Sequence, residues 1–157
     1  MLRLKVFESL PVKIVVMEDE IHHIHQAVSA VREYGLDPEL IPNYQAFDKL
    51  NEVILGVLTD VDIVGQPEGL GLALQCLKKS IPVCVVTRQI GHEYSGWKGP
   101  ILDIIRKAGI PVFISHGENK DWTEAMIKLG ELIHEKLMAG SAQVDKAYQR
   151  YVKYAGA

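Results

Sequence analysis

The chain has 157 residues, 48% of them hydrophobic and 24% charged: enough for one ordinary core, and unlike a disordered, collagen-like or coiled-coil chain. Its 17 basic and 20 acidic residues give a net charge of −3, the wrong sign for a nucleic-acid footprint. No apolar run reaches the roughly 18 to 20 residues of a membrane helix, and Met1 to Pro11 alternates apolar and charged residues where a signal peptide would be continuously apolar. Cys76 and Cys84 both sit in apolar segments and read as core fillers, so the expectation is a reduced, cytoplasmic protein.

Short β-branched runs alternate with helical patterns along the chain, the rhythm of parallel α/β folds. Val12 to Met17 reads as a buried strand. A helix follows, with Ile21, Ile24, Ala27, Val28 and Val31 at helical spacing up to Gly35. Leu40 and Ile41 suggest a short second strand confined by Pro38 and Pro42, and Tyr44 to Leu50 a brief helix. Val53 to Thr59 is a third strand, ending in Asp60. A loop from Gly65 to Gly71 then leads into a helix through Leu72, Leu74, Cys76 and Leu77. Ile81 to Thr87 is the fourth strand, and Arg88 to Pro100 a long polar loop. Ile101 to Ala108 is a helix that Gly109 can close. Ile110 to Ser115 is the fifth strand, and Asp121 with Glu124 has capping-box spacing before a helix to about Met138. The right-handed crossover rule then predicts a three-layer, doubly wound, five-stranded parallel sheet of order 2-1-3-4-5 over residues 12–138, with an extra C-terminal helix. Residues 1–11 would be an extension or edge strand, and residues 139–157 a helical extension.

Ligands of open α/β sheets bind beyond the carboxyl ends of the strands. Glu18 and Asp19 follow the first strand, Asp60 and Asp62 the third, Thr87 ends the fourth, and Ser115 and His116 close the fifth. Each acid alone is more simply a helix-capping residue. Together they predict that Glu18, Asp19 and Asp60 share one divalent cation, Mg²⁺ by the hardness of the oxygens. A carboxylate beside such an ion can accept a phosphoryl group.

On these residues the chain resembles the receiver domain of bacterial response regulators. Lys13 to Glu20 (KIVVMEDE) is similar to that family's first strand and acidic pair. Asp60, closing VILGVLTD, falls at the phosphoacceptor position, Thr87 at the phosphoryl-contacting hydroxyl, and Phe113 at the aromatic switch. The resemblance implies a stand-alone signalling or protein-interaction module, partnered by a kinase, an effector or itself; charge and run length add the expectation of neither nucleic acid nor membrane. It also has gaps. His116 stands where the family carries an invariant lysine, which implies a site that binds metal without coupling phosphorylation to a change of shape. Lys120 lies only four residues on, where a long side chain could reach the site. The loops after Asp60 and Thr87 also depart from the family's lengths.

A second resemblance competes. VLTDVDIV is similar to the first motif of haloacid-dehalogenase-type phosphatases, with Asp60 as nucleophile, Asp62 as general acid/base and Thr87 as the second motif, although two strands precede it here. Among smaller features, His22 and His25 share a helix face with Glu18 below, but match no strong zinc pattern. Trp122 reads as core. Trp97, with Arg88, His92 and Lys98, reads either as a lid over an anionic ligand or as a plug anchoring its loop. Val144, Tyr148, Tyr151 and Ala155 form a helical stripe that either builds a symmetric homodimer or folds back on the monomer.

Overall fold

In the computed structural model, which describes residues 12–88 and 98–139, five strands pair in parallel: β1 (Val12–Met17), β2 (Asp37–Leu40), β3 (Val53–Thr59), β4 (Val83–Arg88) and β5 (Val112–Ser115). Their order is β2-β1-β3-β4-β5, as the crossover rule requires. Helices α1 (Ile21–Glu33), α2 (Glu68–Lys78), α3 (Lys98–Lys107) and α4 (Trp122–Ala139) cover the sheet, with a short 3-10 helix at Tyr44–Lys49 after β2.

Alternation along the strands divides the core in two. Ile14, Val16, Leu58, Cys84 and Val86 pack against α1 and α4, including the fully buried Trp122, Met126 and Leu129. Val15, Met17, Val57, Val83 and Val85 pack on the other face against α2, α3 and Phe47 of the 3-10 helix. Both cysteines are buried and free, and burial pushes each thiol up to about 12. Among the described residues no helix is long and apolar enough to cross a membrane.

Several boundaries differ from the sequence expectation, three of them for a clear physical reason. β2 begins at Asp37 and contains Pro38, which an edge strand tolerates because one row of its amides has no partner strand. α3 begins at Lys98, and Pro100 fits its first turn, where an amide would lack a helical acceptor anyway. α2 begins at Glu68, so Gly69 and Gly71 lie inside the helix. A Cβ on Gly69 would stand 2.0 Å from the Asp60 carbonyl oxygen, and its amide donates to the Val61 carbonyl at 3.1 Å. The glycine that read as loop punctuation lets α2 approach the backbone of Asp60. Residues 1–11, Trp97 and His92 of the long loop, and the C-terminal stripe from Val144 lie outside the described residues.

Candidate functional site

The rim at the C-terminal ends of β1, β3 and β5 holds a buried three-charge cluster. The Lys120 ammonium donates to Glu18 Oε2 at 2.5 Å and to Asp60 Oδ2 at 2.7 Å. The three side chains are 3%, 0% and 7% exposed, respectively. Each carboxylate spends its other oxygen on the backbone. Glu18 Oε1 accepts the amides of Asp19 and Glu20 at 3.0 and 3.2 Å, and Asp60 Oδ1 accepts the Val61 amide at 2.6 Å. Continued one residue past β1 and β3, strand alternation turns Glu18 and Asp60 to the α1/α4 face. Lys120 reaches that same face from the connection before α4.

That connection explains why the ammonium comes from residue 120. His116 to Asn119 are exposed, so the chain leaves the sheet surface after Ser115 and returns at Lys120. Asn119 Oδ1 accepts Gln26 Nε2 at 2.9 Å and lies 3.2 Å from His22 Nε2, which ties the connection to α1. Lys120 Nζ also stands 5.9 Å from the ring centroid of buried Trp122. His116 does not line the cavity beside Asp60; the ammonium that reaches Asp60 is that of Lys120.

Burial opposes the Lys120 charge, but Asp60 and Glu18 together outweigh it and raise its affinity for the proton. Burial pushes the Glu18 carboxyl up to about 7; Lys120 counters this and Asp60 adds to it.

Asp19 and Asp62 flank the cluster. Asp19 Oδ2 accepts the Val64 amide at 2.9 Å. Burial works against its charge, yet that amide and the contact with Glu18 hold it below the usual carboxylate range. Val64 and Gly65 both have positive φ, 52° and 73°, between Ile63 and Gln66, which exchange two backbone hydrogen bonds of 3.0 Å. This is a two-residue reverse turn, with a strained β-branched residue at its exposed tip. Asp62 Oδ1 is buried and finds no partner among the described residues. Burial, then the Asp60 charge, raises the Asp62 carboxyl.

Asp19, Asp60 and Asp62 share a cavity of ≈ 130 Å³ with Lys120, whereas Glu18 sits behind it with both oxygens engaged. Among the described residues no three His, Cys, Asp or Glu side chains gather as a metal-binding group. The ground between Glu18 and Asp60 that the sequence reading gave to a cation is held by an ammonium. Mg²⁺, however, commonly takes one or two carboxylates and keeps several waters. Asp19 and Asp60, with the orphaned oxygen of Asp62 nearby, match that demand in donor chemistry.

Thr87 is fully buried, and its hydroxyl finds no partner among the described residues. Phe113 is partly buried against the α1/α4 core. His22 and His25 are exposed, and His23 between them is buried. Sequence reasoning places Arg88 with Trp97, His92 and Lys98 in a lid or a plug; Arg88 follows Thr87 directly and, like Lys98, lines the cavity.

No family model and no curated protein matches the chain. Solved structures do. A response regulator receiver protein from Pseudoalteromonas atlantica matches with a TM-score of 0.58 at 8% identity, over 78% of this chain and 97% of that one. A CheY-like receiver domain protein from Methanospirillum hungatei matches with a TM-score of 0.58 at 17% identity, over 82% and 98%. A beryllofluoride-activated receiver domain dimer matches with a TM-score of 0.54 at 14% identity, over 78% and 97%. The chain has the receiver fold, in a divergent sequence.

Proposed function

We propose that this protein is a receiver-like signalling module in which Asp60 accepts a phosphoryl group. The observation that carries the reading is the Lys120 ammonium shared by Glu18 and Asp60, at the edge of a cavity that Asp19 and Asp62 also line. An Asp60 carboxylate oxygen attacks the phosphorus of a phosphodonor. The new P–O bond forms as the donor's bond to phosphorus breaks, and the leaving group keeps that electron pair. Lys120 stays protonated throughout and faces the negative charge that the phosphoryl group brings. Asp19 and Asp60 would hold Mg²⁺, which supplies charge neutralisation at the phosphoryl oxygens. The Thr87 hydroxyl, buried at the adjacent strand end without a partner among the described residues, would gain an acceptor on turning to those oxygens. That gain is a differential contact able to shift the protein between two states. The readout is then a protein surface offered to a kinase, an effector or a second copy.

Acetyl phosphate with Mg²⁺ tests this by intact mass. The expected result is one added phosphoryl group, stable in acid, lost in base and absent from Asp60→Asn. An unchanged wild-type mass contradicts it. The raised Asp62 carboxyl, which would retain a proton for a leaving group, favours the phosphatase as a second reading. Repeated turnover to inorganic phosphate, with no phosphoprotein accumulating, selects that one.

A further inference from the structure

Arg88 closes β4 directly after Thr87, and its backbone is fixed by register opposite Ser115. Cys84 and Val86 face the α1/α4 core, so alternation gives Arg88 the same face as Glu18, Asp60 and Lys120. Its guanidinium is loosely held. Nη2 lies 3.9 Å from Glu20 Oε1, Nη1 donates to the Glu118 carbonyl at 3.4 Å, and the side chain is 25% exposed. Its own carbonyl accepts Lys98 Nζ at 3.0 Å, which ties the start of α3 to the same point. Arg88, Lys98 and Lys120 thus bring three cations to the ≈ 130 Å³ cavity beside Asp60. That space has room for a group the size of a phosphoryl.

We propose that Arg88 is a ligand for the oxyanion on Asp60: it leaves Glu20 and closes its fork on the oxygens of a phosphoryl-type group. A guanidinium presents five donors in a planar fork suited to such oxygens, and neither resting contact uses them well. Glu20 is the competing carboxylate that parks the fork while the site is free of anion. The proposal rests on Asp60 as the acceptor, so its test must separate the two.

Beryllofluoride binding to the full chain, followed by ¹⁹F NMR with Mg²⁺ present, does so. Arg88→Ala is expected to weaken binding at least tenfold, the scale of one charge-assisted hydrogen bond. Arg88→Lys falls between it and the wild type, because it keeps the charge without the fork. Glu20→Gln tightens binding by freeing Arg88, and this variant carries the test should Arg88→Ala fail to fold. Binding by Arg88→Ala within twofold of wild type overturns the proposal, as does a wild type that binds no beryllofluoride. Asp60→Asn reports on the other reading. Undiminished binding by it removes Asp60 as the acceptor, while the dependence on Arg88 stands.

Discussion

A buried ammonium is tolerable only when carboxylates surround it, and two buried carboxylates are tolerable only when a cation separates them. Glu18, Asp60 and Lys120 satisfy both conditions at 2.5 and 2.7 Å. Removing the cation from such a pair typically costs about 3 to 5 kcal/mol, and Lys120→Met should lose that much stability at neutral pH. The loss should depend on pH. Glu18, already pushed up to about 7, rises further without Lys120, so the folded variant binds protons more tightly than the unfolded chain. Its stability is therefore largest below the ordinary glutamate range and falls as pH rises. Urea denaturation of both proteins at pH 5 and pH 7.5 checks this, and the deficit should be smaller at pH 5. Sequence alone reveals the carboxylates, because each follows a legible strand. It brings Lys120 only within reach of the site, because the path from His116 to Asn119 is set by contacts of Asn119 with α1 rather than by any local preference. One usable signal was there: Lys120 stands two residues before a tryptophan that must be buried.

At the scale of elements, the close approach of α2 to Asp60 is what confines the loop that follows it. Gly69 admits it, and Gly69→Ala would force a Cβ to within 2.0 Å of the Asp60 carbonyl. Overpacking against backbone costs about 1 to 3 kcal/mol. We expect that loss by thermal or urea unfolding, together with slower acceptance of a phosphoryl group, since the displaced residue is Asp60 itself. Four of the five strands are readable from β-branched runs, β2 only from Leu40 and Ile41, and their order from handedness. The start of α2 was not, because glycine marks both a flexible loop and a close contact, and only the tertiary neighbour distinguishes them. β2 misleads for a related reason: proline bars a central strand, yet an edge strand accepts it.

At the scale of the molecule, the sheet gathers residues that are far apart in sequence, from Glu18 to Lys120, at one rim. The two helix layers leave that rim open at the cavity beside Asp60. Low identity to solved receiver domains with the same fold means that the arrangement, rather than any local motif, relates them. The central claim is that this rim makes Asp60 a phosphoacceptor. Its most direct test is to treat the chain with acetyl phosphate and Mg²⁺, trap the acyl phosphate by borohydride reduction, and locate the reduced residue by peptide mass spectrometry. Reduction at Asp60 alone is the predicted result; a label on Asp62 or Asp19, or none at all, would contradict it.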